Sequence, residues 1–324
     1  MSYRRLATGI SAFLGMLILI LDGKTALAGA QEGIGLCLKT VIPSLFPFFI
    51  LSNILNTALT GSRFSVLHPL TKIFPVPDGC EALLISSFLG GYPTGAQSIV
   101  QAYNTGLISK QDAERLLAYG NLSGPSFIFG VTSHFFPEQW MVWALWGIHI
   151  LSAVVTAQFV GIPYSSCSVK KMQSTASGTS LKNALSAMEL VCGWVVFFRS
   201  IIHVLKRWIL CFFPEKYMIL TVGILELTNG CCELSGFTGI EERFIVCSSL
   251  LAFGGVCVFL QTAAVARGLS MGHYIFGKFS QTTLSVLFSC CLMYKLWIPA
   301  VLPLLIVLVK KKRNNGSIPR LVGV

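Results

Sequence analysis

An all-α protein that crosses a membrane many times is the fold class this sequence predicts, and three observations predict it. Only 11% of the 324 residues are charged, against about a quarter in an ordinary soluble domain, while 54% are hydrophobic and the mean hydropathy is +0.72. A water-facing globule of this size has no interior large enough for that much apolar side chain. The apolar residues fall into long runs, at about 6–21, 34–60, 83–103, 116–136, 140–162, 185–205, 217–227, 244–266 and 282–309. Several of these runs are interrupted by glycine and proline, which predicts about eight spans or half-spans, some of them broken. Together these exclude a soluble enzyme, a disordered chain and a secreted disulfide scaffold. The net charge of +11 does not point to nucleic acid, because the basic residues flank apolar runs instead of forming a face.

Taken in order, the chain divides into residues 1–33, 34–164, 165–182, 183–309 and 310–324. The first part holds Arg4 and Arg5, an apolar run, and then the small residues from Ala26 to Ala30. It reads as an uncleaved first span, with a cleavable leader ending at Ala28 as the alternative. The run at 34–60 contains Pro43 and Pro47, which predict a break there. The stretch 165–182 is the one extended polar segment; Lys170, Lys171 and Lys182 place it on the cytoplasmic side, as do Arg4 and Arg5 for the N-terminus. The tail from Lys310 to Arg313 reads as a stop-transfer flank or a contact with anionic lipid. Eleven cysteines form no CxxC pair, and Cys231-Cys232 and Cys290-Cys291 sit in or beside apolar runs, so reduced, buried thiols are expected and no zinc site.

The parts on either side of the linker resemble each other. Gly90-Gly91 precedes Gln97 with the same spacing as Gly254-Gly255 precedes Gln261, and the Phe-rich stretch 41–55 aligns with 191–205. A weak internal repeat of this kind marks secondary-transporter folds, and the positive-inside assignments make the two repeats inverted. One signal conflicts: strictly inverted repeats after a single span leave the C-terminus outside, whereas Lys310 to Arg313 favour inside.

The broken runs are where a solute is expected. Gly90-Gly91-Tyr92-Pro93-Thr94-Gly95 and Gly254-Gly255 each start a half-helix whose N-terminal amides face the break, with Gln97 and Gln261 adding groups that donate and accept. Gly-mediated helix contacts with the glutamines as interhelical glue are the plain alternative. Asn121-Leu122-Ser123-Gly124-Pro125 is a second polar interruption, following a short helix capped by Ser109. Glu226, followed by Thr228 and Asn229, is a carboxylate in an apolar run and thus a functional residue by default, or else an interface position at a span end. Arg199 and His203 share a helix face and read as a membrane boundary more readily than as partners of Glu226. The predicted solute-binding set is Gly90, Gly91, Pro93, Thr94, Gly95, Gln97, Asn121, Ser123, Glu226, Thr228, Asn229, Gly254, Gly255 and Gln261. No HExxH, GxSxG or P-loop is present, so no enzyme, metal ligand or cofactor is expected; a coupling proton or sodium ion stays open.

These motifs, with Pro43 to Phe48, Gly91 to Ala96, Asn121 to Phe127, Glu226 to Gly230 and Phe253 to Gly255, resemble the YlbJ-type sporulation integral membrane proteins. The resemblance spans about residues 35–278. It implies the nucleoside-recognition (Gate) domain, kinship with concentrative nucleoside transporters, a spore-forming bacterium, a multi-pass place in its cytoplasmic or forespore membrane, and dipicolinate as solute. Arg199 departs from that pattern, in a segment expected to carry less charge. The resulting expectation is a transporter working by alternating access on a small anionic or nucleoside-like solute, with the lipid bilayer as partner and a homo-oligomer left open. A non-transporting scaffold for spore envelope or coat assembly is the second reading.

Overall fold

A computed structural model describes residues 3–59, 74, 76–77, 80–160, 177–296 and 303, and they contain helices and no strand. The α-helices are α1 (Tyr3–Leu21), α2 (Gly23–Leu36), α3 (Ile42–Leu59), α4 (Glu81–Gly90), α5 (Thr94–Asn104), α6 (Lys110–Gly120) and α7 (Pro125–Val131). They continue with α8 (Gln139–Val160), α9 (Ser177–Trp208), α10 (Glu215–Leu225), α11 (Leu227–Cys232), α12 (Ile240–Phe253), α13 (Gly255–Val265) and α14 (Gly272–Met293). Five stretches are long and apolar enough to cross a membrane: Gly23–Ala58, Gln139–Val160, Ser180–Trp208, Ile240–Val265 and Gly272–Met293. Their outer faces carry large exposed apolar side chains such as Leu51, Trp143, Phe197 and Phe279. In water such a surface is untenable, so this is a multi-pass integral membrane protein.

The breaks at Gly90-Gly91, Gly124-Pro125 and Gly254-Gly255 fall where glycine and proline put them, and two expectations are corrected. Pro43 and Pro47 do not interrupt the chain, which stays helical from Gly23 to Ala58. The turn Cys37–Val41 is a π-helix, and this wider turn makes room for the Pro43 ring just beyond it. The run at 282–309 is also not one segment: its helix starts earlier, at Gly272, and ends at Met293. The tail on which the topology conflict rests, and the linker up to residue 176, lie outside the described residues.

Two kinds of interruption occur. At Gly91 and at Glu226 the chain folds back. A β-carbon on Gly95 would sit 3.3 Å from Ser87, and one on Gly230 would lie 2.2 Å from the Cα of Gly223, so α4 lies along α5 and α10 along α11 as two hairpins. At residues 121–124 and at Gly254 the chain instead runs on, making α6–α7 and α12–α13 two broken spans. In chain order each half is then a long helix (α3, α9), a hairpin, a broken span and a closing helix (α8, α14). The packing follows that order: α3 touches α7 as α9 touches α13, α6 touches α14 as α12 touches α8, and the pairs α3–α9 and α8–α14 meet between the halves. By position, the Gly90-Gly91 hairpin corresponds to the Glu226 hairpin, and residues 121–124 to Gly254-Gly255, instead of glycine pair to glycine pair. Of three apolar clusters among the described residues, one, including Leu45, Phe127, Val191, Leu227, Leu251 and Val258, runs through both halves.

Candidate functional site

Each hairpin tip leans on the break of the next span in its own half. Gly91, at φ +71°, leaves no room for a side chain: a β-carbon would lie 2.4 Å from the Gly124 amide nitrogen. Its neighbour Tyr92 donates its amide hydrogen to the Leu122 carbonyl at 2.8 Å, and the Tyr92 and Ser123 hydroxyls are hydrogen-bonded. In the second half, a β-carbon on Gly255 (φ +80°) would sit 3.1 Å from the carbonyl oxygens of Gly223 and Ile224, at the end of α10. Helix termini, which carry unpaired backbone groups and partial charge, are thereby gathered at one depth in the protein.

Between the two arrangements lies a small cavity of about 20 Å³. It is bounded by the same elements from each half: Leu45 of α3 with Val191 and Val195 of α9, Gly90 and Tyr92 of one hairpin with Glu226 to Thr228 of the other, and Gly124 and Phe127 with Val258 and Gln261. That is space for about one water molecule.

Glu226 is buried, and it lies outside the apolar helix in which the sequence reading placed it. It is the N-cap of α11, and its carboxylate oxygens accept from the amides of Thr228 at 2.9 Å and Asn229 at 2.7 Å. The amides at that tip are therefore occupied by the chain's own carboxylate. Arg199 is no mere boundary marker: it donates to Asn229 Oδ1 at 3.0 Å and to Glu32 at 2.9 Å, and it lies 3.7 Å from Glu233. It thus ties α2, α9 and the second hairpin tip together, while His203 meets the same Glu32 oxygen at 3.0 Å.

Of the predicted residues, Gly90, Glu226, Thr228 and Gln261 border the cavity. Gly91, Pro93, Thr94 and Gly95 shape the first hairpin tip, where Thr94 donates to the Gly91 carbonyl at 2.8 Å, and Gly254 and Gly255 shape the second broken span. Asn229 is held by Arg199. Asn121 and Ser123 do not reach the cavity; they cross-brace the halves, Asn121 donating to Thr262 Oγ1 at 2.7 Å and Ser123 to the Leu251 carbonyl at 3.0 Å. Gln97 is half-buried on α5, away from the cavity. Four buried polar atoms here have no protein partner: Gln97 Oε1, Asn121 Oδ1, Asn229 Nδ2 and Gln261 Oε1.

Three residues escaped the sequence reading. His149 of α8 accepts the Ser123 amide hydrogen on Nε2 at 3.0 Å, Lys278 of α14 lies buried between the two broken spans, and Tyr92 joins both of their surroundings. The signal for Lys278 was a lysine within an apolar helix; taking the last run to start at 282 left it in a flank.

One curated protein matches: the sporulation integral membrane protein YlbJ of Bacillus subtilis is 32% identical over 168 residues. The match covers 49% of this chain and 40% of that protein, so the chain aligns with well under half of its relative's length. No family model matches, and no solved structure matches.

Proposed function

We propose that this protein is a sporulation-associated membrane transporter that moves a small polar solute by alternating access at its two hairpin tips. The carrying observation is the small cavity bordered by corresponding elements of both halves, with partnerless polar atoms of Gln261 and Asn229 at or beside it. Buried polar atoms without partners are costly in a fold and are satisfied when a ligand supplies the missing groups. A cavity that fits one water is the occluded form, so a solute enters only when a hairpin parts from its broken span. The assignment to sporulation rests on the named relative. A scaffold has no use for an interior of this kind, since apolar packing would serve it better.

Dipicolinate and a nucleoside make opposite demands on Glu226. An ionised Glu226 accepts from ribose hydroxyls or ring N–H groups but repels a carboxylate, so an anionic solute binds only with Glu226 protonated or displaced. The test is uptake of labelled dipicolinate and labelled nucleosides into proteoliposomes holding the purified protein, with Glu226→Gln and Gln261→Ala alongside. Saturable uptake lost in Gln261→Ala supports the reading. Weaker nucleoside uptake in Glu226→Gln names a nucleoside-like solute, and tighter dipicolinate uptake names the anion. Absence of any flux from folded protein overturns the proposal in favour of a scaffold.

A further inference from the structure

Lys278 is a buried cation without a counter-ion. It is 4% exposed, and no described carboxylate lies within ion-pair distance of its ammonium. Desolvating a lone ammonium in a membrane protein is among the most costly things a chain can do, so its surroundings must replace both water and a counter-ion. They do so with backbone. Nζ donates to the Asn121 carbonyl at 2.8 Å and to the Ala252 carbonyl at 3.3 Å. Asn121 ends α6 and Ala252 lies in the last turn of α12, so the C-terminal ends of both interrupted spans point their negative poles at one charge. The rings of Tyr92 and Tyr274 complete the shell, each with its centroid 5.6 Å from Nζ. Of the packed neighbours, α8 presents His149, whose Nε2 is already engaged by Ser123.

Carbonyl oxygens at unwound helix ends, backed by aromatic faces, are the surroundings a bare monovalent cation takes in a membrane protein. We propose that Asn121, Ala252, Tyr92 and Tyr274 form a monovalent-cation site that Lys278 fills with its own ammonium, so that the two broken spans are held together without a free sodium ion. With the side chain removed, the site takes sodium or a small alkylammonium ion. That solute movement is consequently independent of a sodium gradient rests on the transport reading; the site itself does not.

The test is a melting series on the purified protein in about 200 mM choline, sodium or ethylammonium chloride, where any binding to the folded state raises the melting temperature. The wild type is expected to melt within about 1 °C in all three. Lys278→Ala is expected to melt lower in choline and to regain about 5 °C or more in sodium or ethylammonium. Lys278→Met, which fills the space without charge, is expected to stay low in every salt. Sodium stabilisation of the wild type, a Lys278→Met as stable as wild type, or a Lys278→Ala that gains nothing or folds in none of the salts overturns the proposal. Uptake with and without a sodium gradient is read separately. Protein that carries no solute leaves the melting series decisive for the site, and a failed melting series beside measured uptake leaves the transport reading standing.

Discussion

Glu226 holds two jobs at one position, and they pull against each other. As N-cap of a six-residue helix it satisfies two backbone amides, an interaction of about 1 kcal/mol for an ordinary cap and more for a charged, buried one. It also borders the cavity, where under the proposed transport reading it sets the charge of an acceptable solute. Glu226→Ala is therefore expected to cost at least about 1 kcal/mol of stability as well as solute uptake, whereas Glu226→Gln, which keeps one acceptor but turns its NH2 toward the other backbone amide, is expected to melt between Glu226→Ala and the wild type. Comparing the two melting temperatures separates capping from solute recognition. Gly91 is a sharper case. With φ +71° and the Gly124 amide 2.4 Å from where a β-carbon would be, Gly91→Ala has to push the hairpin off the broken span. A loss of more than about 3 kcal/mol is expected, seen as little folded protein after extraction.

Elements were legible in the sequence in proportion to how local their causes are. The breaks at Gly90-Gly91, Gly124-Pro125 and Gly254-Gly255 follow from backbone chemistry that a few residues carry by themselves, and they lie where the sequence puts them. The Ser109 cap is equally local, accepting from the Asp112 amide at 3.2 Å. What failed was longer in range. Pro47 sits inside α3 without ending it, and the π-turn just before Pro43 has no signature in composition. Gly29 and Gly33 form a GxxxG face, yet its meaning needs the partner: on α9, Arg199 and Val196 backbone atoms lie 2.8 and 2.9 Å from the missing β-carbons. Whether an interrupted pair folds back or runs on is likewise a packing outcome, and it reassigned which breaks correspond. Gly277 makes the same point for α14. A β-carbon there would stand 2.2 Å from the Ala118 carbonyl of α6, so Gly277→Ala is expected to part these helices and draw Lys278 away from Asn121. Faster hydrogen exchange at the α6–α7 break, with α2 unaffected, is the measurement that checks it.

At the scale of the molecule, counting crossings accounts for the inversion without any reference to charge. If α6–α7 crosses beside the five apolar stretches, each half makes three traversals, a long helix, a broken span and a closing helix, while its hairpin returns to the side it entered from. An odd number would carry the chain to the opposite side before the second half begins, and the second half is then predicted to be upside down relative to the first. Contacts far apart in sequence agree. The amide of Ser270, between α13 and α14, donates to Glu114 at 2.7 Å, which puts the start of α6 and the end of α13 on one side. On the other side Arg243 donates to the Phe135 carbonyl at 3.0 Å, beside a depression of about 700 Å³ that also borders Thr238 and Lys295. The lysines of the linker predict the cytoplasm for the first of these sides. Single cysteines at Thr105 and at Thr238, introduced where the native thiols have been replaced by serine, thus report from opposite faces. In intact cells a membrane-impermeant maleimide is expected to label Thr238→Cys and to reach Thr105→Cys only after the membrane is opened. Labelling of both from outside removes the odd crossing count, and with it the inversion; the reverse pattern keeps the inversion and turns the whole protein over in the membrane.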